Sequence, residues 1–189
     1  MNINSVINEA KIFLKKSSIK TAQLDSEILL AEAINKNREY IILNQNHTIN
    51  EESYYQFKTL VERRSKGKPV AYLVGKKDFW KYQFQINEHV LIPRPDTEVI
   101  VEQVLKISKF KSNLMILDIG VGSGCILLSV LKEKKDFRGI GIDISKKSVE
   151  LSKLNAFNLG LLNRLKIFKT NVDNFNYGKY DLIISNPPY

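Results

Sequence analysis

Apolar positions in the first 65 residues recur at helical spacing. Val6, Ala10, Phe13 and Leu14 mark one amphipathic helix, and Leu24, Ile28, Leu29, Ala31 and Ile34 a second. Asn50, followed by Glu51 and Glu52, reads as the N-cap and acidic first turn of another, which carries Phe57, Leu60 and Val61 and ends at Gly67 and Pro69. The period then becomes two. Trp80, Tyr82, Phe84 and Ile86 alternate with Lys81, Gln83 and Gln85, predicting a half-buried strand, and Asn87-Glu88 turns the chain into a second short strand at 89–92. Pro93 and Pro95 break that strand, and Asp96 or Thr97 caps a helix carrying Val99, Ile100, Val104, Leu105 and Ile107. From Leu114 onward strands (114–119, 139–143, 165–169, 180–185) alternate with helices (123–133, 145–158), the pattern of a parallel sheet with crossover helices.

This organisation predicts a helical region over 1–75, a β-hairpin joint over 76–95 and an α/β region over 96–189. With 189 residues, 43% of them hydrophobic, the chain has enough apolar surface for real cores and too much for a disordered protein. One cysteine, Cys125, excludes an intramolecular disulfide and a thiolate zinc cluster, and with only His47 and His89 no dedicated metal site is expected. Both histidines read as surface or loop groups. The longest apolar run is far shorter than the roughly 20 residues of a membrane span. The N-terminus, with Asn2, Asn4 and Glu9, lacks the order of a signal peptide, so a cytoplasmic setting is expected. The net charge of +9 is spread as +3, +2 and +4 over 1–75, 76–111 and 112–189, without the dense stripe of a nucleic-acid face. Trp80 reads as a hairpin core residue.

Two segments carry chemistry. Asp118-Ile119-Gly120-Val121-Gly122-Ser123-Gly124 joins a strand to a helix, and its glycines permit positive φ and close approach of a ligand to the backbone. A dinucleotide site would have G-x-G-x-x-G, whereas here G-x-G-x-G follows an acid that repels a pyrophosphate and suits a cationic amino group. Asp143 ends the next strand, placed to accept both hydrogens of a ribose diol, so the pair points to a nucleoside cofactor. The second segment, Asn186-Pro187-Pro188-Tyr189, follows an apolar strand and should lie beside the glycine turn, because open α/β sheets bind ligands beyond their carboxyl ends. The Asn186 side-chain oxygen and the Pro187 carbonyl are two acceptors on a stiff backbone, suited to a planar NH₂ group.

Together, Asp118–Gly124, Asp143 and Asn186–Tyr189 resemble the motifs of class I, Rossmann-like, S-adenosylmethionine-dependent methyltransferases acting on planar nitrogens. The segments Pro69-Val70-Ala71-Tyr72-Leu73, Asp78-Phe79-Trp80 and Leu91-Ile92-Pro93-Arg94-Pro95-Asp96-Thr97-Glu98 narrow the resemblance to the HemK/PrmC family of peptide chain release factor glutamine methyltransferases. The resemblance implies that S-adenosylmethionine is the cofactor and that the methyl acceptor is the glutamine of the Gly-Gly-Gln loop of class I release factors. It implies that Gly120, Val121, Gly122, Ser123, Gly124, Asp143 and Asn186 hold the cofactor. Asp118 orders the turn or meets the cofactor's ammonium through water. Asn186 and Pro187 accept the amide hydrogens while Pro188 and Tyr189 shape the slot; Arg94 holds the turn or meets the substrate. The family's acid near the adenine is replaced by Thr170-Asn171-Val172-Asp173, leaving Asn171 or Asp173 for that contact, and Ile126-Leu127-Leu128 carries bulk where an alanine is usual. The helical region is implied to hold the release factor.

Two other readings stand beside this one. The same tetrad serves adenine and guanine amino groups in DNA or RNA base N-methyltransferases, although the dispersed charge and the 93–98 segment count against that. By the resemblance, a class I sheet has seven strands ordered 3-2-1-4-5-7-6. The four strands here therefore predict a domain incomplete at its C-terminus, a poorly active chain, or a non-catalytic remnant.

Overall fold

Three of the first four helices begin on an asparagine. In the computed structural model, which describes residues 1–187, α1 (Ile3–Lys16), α3 (Arg38–Leu43) and α4 (Glu51–Ser65) are capped by the side chains of Asn2, Asn37 and Asn50. Each Asn Oδ1 accepts a backbone N–H of the first turn at 2.8–2.9 Å, satisfying a donor with no intrahelical partner. With α2 (Ala22–Ala33) and the single turn α5 (Val70–Val74), these helices form the unit Met1–Gly75 around Ile3, Leu14, Leu29, Leu30, Ile41 and Phe57. The helices at 38–43 and 70–74 were not anticipated, since neither is long enough to display a period. The apolar face expected of α2 also needs correction. Leu24 is exposed, and Asp25 and Glu27 are buried in its place. Arg64 and Arg38 make this possible, each pairing with its carboxylate at 2.7 Å.

The second unit, Lys76–Tyr189, opens with an antiparallel hairpin of β1 (Lys76–Phe79) and β2 (Tyr82–Gln85), in which Phe79 faces Tyr82. The strand expected over 80–86 is therefore shifted. Trp80 stands in the turn at φ 58, and the partner strand precedes the turn instead of following it at 89–92. Glu98 and Glu133 hold this uncommon backbone, accepting the Trp80 backbone N–H at 2.7 Å and its indole N–H at 2.9 Å. Phe79 and Phe84 stack edge-on and enter the core of this unit, against which the half-buried Trp80 also packs. The hairpin, expected as a joint, belongs to this unit's own core.

A 3₁₀ turn, Pro95–Thr97, leads into α6 (Glu98–Ile107). Of the two expected caps, Asp96 and Thr97, it is Thr97 that stands at the N-cap position, but its side chain makes no capping bond: its backbone is already helical (φ −71, ψ −19), whereas a capping side chain works from extended backbone. Then follow β3 (Met115–Ile119), α7 (Cys125–Glu133), β4 (Arg138–Asp143), α8 (Lys146–Asn158), β5 (Leu165–Lys169) and β6 (Leu182–Ser185). The four strands are parallel in the order β5-β4-β3-β6, which bears out the expected α/β sheet. Alternation along β3 sends Ile116 to a core shared with Leu127, Leu128, Leu131 and Phe137, and Leu117 to a smaller cluster with Ile140 and Ile142. Arg164 donates to the carbonyls of Leu131, Lys134 and Phe137 at 2.8–3.0 Å, holding the carbonyl end of α7. The chain runs from β3 outward to β4 and β5, then returns to β6 on the other side. This reversal opens a crevice at the carboxyl ends of β3 and β6. No helix among the described residues is long and apolar enough to cross a membrane.

Candidate functional site

The crevice is a cavity of about 420 Å³ at the carboxyl ends of the strands. Gly120 and Gly122 form part of its wall from the turn after β3, Asp143 from the end of β4, Asn171 from the loop after β5, and Asn186 and Pro187 from beyond β6. The glycine turn is pinned by backbone bonds: the N–H groups of Gly120 and Val121 donate to the Ile142 carbonyl at 2.9 and 3.0 Å. Gly120 has φ +76, and a Cβ there would meet nothing within 4 Å. Gly124 (φ +82) is of another kind, since a Cβ there would strike Leu128 at 2.8 Å and Ser152 at 3.3 Å. The first keeps the cavity open, and the last lets α7 and α8 close beneath the turn.

The Asp143 carboxylate is oriented by two backbone donors, Gly122 N–H at 3.0 Å on Oδ2 and Ser145 N–H at 2.8 Å on Oδ1. A carboxylate has about four acceptor positions, so roughly two remain for a ligand. Asp118, by contrast, does not line the cavity. It is buried, and the Leu127 N–H in the first turn of α7 donates to it, so it orders the junction of turn and helix. Burial raises its pKa from 3.8 to about 7; the Leu127 bond opposes that shift and the negative charge of Asp143 adds to it. Burial likewise pushes the Cys125 thiol up to about 12, which removes it as a nucleophile.

Of the other sequence-predicted residues, Val121, Ser123 and Gly124 are buried behind the cavity wall. Val121 packs where a Cβ on Gly141 would lie, at 2.9 Å. Arg94 is exposed and contributes its carbonyl to the 3₁₀ turn, accepting the Thr97 N–H at 3.0 Å. The Asn186 Nδ2 donates to Thr97 Oγ1 at 3.3 Å, which ties the segment 93–98 to the end of β6. Ser185 Oγ donates to the Ile119 carbonyl at 2.9 Å and holds β6 against β3. Pro188 and Tyr189, the rest of the expected slot, lie outside the described residues.

Sequence reasoning missed part of the wall. His89, Val90 and Leu91 line the cavity from the segment after the hairpin; His89 is exposed in a loop, as expected, and has Nε2 2.9 Å from Lys147 Nζ. The sequence predicts a strand at 89–92, whereas this segment is irregular in the structure.

Comparison with known proteins assigns both regions. Residues 5–75 match the family model for the PrmC N-terminal domain, and residues 96–189 the model for the methyltransferase small domain. A release factor glutamine methyltransferase from Buchnera aphidicola subsp. Baizongia pistaciae is 38% identical, over all of this chain and 68% of its own length. A second, from Buchnera aphidicola subsp. Schizaphis graminum, is also 38% identical, over all of this chain and 67% of its own length. A bifunctional methyltransferase from Rickettsia felis is 36% identical over the whole chain, which spans 41% of that longer protein. Matches of this extent, through the helical unit and the glycine turn alike, place the chain in the release factor glutamine methyltransferase family.

Proposed function

We propose that this chain takes part in transfer of a methyl group from S-adenosylmethionine to the side-chain amide nitrogen of the glutamine in the Gly-Gly-Gln loop of class I release factors. One juxtaposition carries this reading: Asn186 and Pro187 stand on the same cavity as Gly120, Gly122 and Asp143. The cavity fits the cofactor. It is open above Gly120, and the remaining acceptor positions of Asp143 suit a vicinal diol. When bound, S-adenosylmethionine supplies an electrophilic methyl group on a sulfonium centre.

The protein's residues then do the rest. Gly120 and Gly122 let the ligand rest against backbone, and Asp143 accepts the ribose hydroxyls. Asn171, unlike Asp173, lines the same cavity from the loop after β5, which favours it of the two for the adenine contact. Thr97 takes one amide hydrogen of Asn186, and Asn186 Oδ1, which has no donor among the described residues, accepts from the substrate. With the Pro187 carbonyl, it fixes the amide plane of the glutamine. An amide nitrogen is a poor nucleophile because its lone pair is delocalised. Alignment, and acceptors whose bonds strengthen as the nitrogen becomes cationic, therefore supply most of the rate.

The test is transfer of labelled methyl from S-adenosylmethionine to a release factor, to the same factor with its motif glutamine replaced, and to nucleic acid. Label in the intact factor alone is expected, and Asn186→Ala should abolish it. Label only in nucleic acid overturns the reading in favour of a base methyltransferase.

A further inference from the structure

The hairpin and the glycine turn are far apart in sequence, yet one side chain joins them. Asn155 on α8 is buried, and its Nδ2 donates to the Ser123 carbonyl at 2.8 Å and to the Gln85 carbonyl at 2.9 Å. Its Oδ1 accepts the Gln85 N–H at 2.8 Å. Two carbonyls and one N–H permit a single orientation of the amide, since the reverse would set its oxygen against both carbonyls. By taking both backbone groups of Gln85, Asn155 replaces a neighbouring strand at the edge of β2 that β1 does not use.

The same face of α8 meets the turn at one more point and the cavity at another. Ser152 lies against Gly124, and Ser148 lines the cavity. After Gln85 the chain continues to His89, Val90 and Leu91 on the cavity wall, while Ser123 sits between Gly122 and Gly124 in the turn. At its far end the hairpin is clamped by Glu133, which accepts from Trp80 Nε1 at 2.9 Å, Lys81 Nζ at 3.1 Å and Tyr82 OH at 3.3 Å.

We propose that Asn155 is a positioning residue for cofactor binding: it sets the spacing between the hairpin-derived wall of the cavity and the glycine turn. The proposal rests on the cofactor reading above. It requires that loosening the hairpin weaken binding of S-adenosylmethionine, even though the hairpin strands themselves do not line the cavity.

Calorimetric titration with S-adenosylmethionine, without a methyl acceptor, tests it. If the unaltered protein does not bind, the cofactor reading fails. If it binds, Asn155→Ala should weaken affinity by roughly tenfold or more, because the Ser123 and Gln85 backbone groups lose a buried partner. Hydrogen exchange at the Gln85 and Gly124 amides should accelerate in the same variant. A folded Asn155→Ala protein with lowered thermal stability but unchanged affinity shows a purely structural role and overturns the proposal. Should that variant not fold, Glu133→Ala decides. It should speed exchange at Gln85 and weaken binding by roughly two- to fivefold through the intact Asn155. Faster exchange with unaltered affinity overturns the proposal.

Discussion

The two units of this protein handle buried carboxylates in opposite ways. In the helical unit, Asp25 meets Arg64 at 2.7 Å and accepts from Thr21 Oγ1 at 2.9 Å, while Glu27 meets Arg38 at 2.7 Å and accepts from Gln23 at 2.6 Å. In the α/β unit, Asp118 has no cation within ion-pairing distance among the described residues. It is held by one N–H and lies close enough to Asp143 to feel its charge. Paired carboxylates specify how helices pack, and breaking such a pair exposes its full desolvation cost. An unpaired carboxylate lowers stability, and such a cost is commonly retained at functional sites; here it lies beneath the glycine turn of the candidate site.

The sharpest way to break this comparison is to remove one partner of a pair. Arg64→Met leaves Asp25 buried without its cation and should cost roughly 3–5 kcal/mol in denaturant unfolding of the helical unit. Asp25→Leu combined with Arg64→Met should recover most of that loss; if the double variant is as unstable as the single one, the pair is not what Asp25 requires.

Next in size is the pH response of Asp118. Its folded pKa, about 7, lies above the ordinary 3.8. Between those values the folded state binds more protons than the unfolded one. Stability should therefore be fully present below about pH 4 and fall as pH rises through 7, by roughly 2–4 kcal/mol. Asp118→Asn should remove this slope and be the more stable protein at pH 8. Parallel melting-temperature profiles of the two proteins between pH 5 and 8 would contradict the assignment.

The smallest effect separates the two sides of the glycine turn. Gly120→Ala meets no atom, so it should cost only about 1 kcal/mol of backbone strain yet impair cofactor binding. Gly124→Ala should cost more, by roughly 1–3 kcal/mol of overpacking against Leu128 and Ser152. Equal melting temperatures for the two variants would show that the turn has no supporting side.

The parallel sheet was readable because short apolar strands alternate with helices from Leu114 onward, a pattern that local sequence carries without help from distant partners. Asn50 was readable as a cap because its bond is local. The hairpin was misread because alternation continues from Trp80 to Ile86 across a turn that contains neither glycine nor proline. Its positive φ depends on Glu98 and Glu133, which are remote in sequence. The burial of Asp25 depends on Arg64 in the same way, and the role of Asn155 on Gln85 and Ser123. Local chemistry is visible in a linear pattern, but a polar residue made buriable by a distant partner is not. At the site, Gly120, Gly122, Asp143, Asn171, Asn186 and Pro187 were anticipated and converge on the cavity, whereas His89 and Leu91 were not anticipated.

Trp80 is the chain's only tryptophan, and its position makes it an optical gauge. Its indole N–H is held by Glu133, and the Lys81 ammonium lies 5.7 Å from its ring centre. Emission excited selectively at long wavelength therefore comes from the hairpin tip alone. Release of the indole into water should red-shift that emission without any label being attached. The Lys81 hydrogen bond, followed by that of Trp80, holds the Glu133 carboxyl below its usual range against the opposing effect of burial. The signal should thus persist into weakly acidic solution and report the seating of the hairpin in real time while ligand is added.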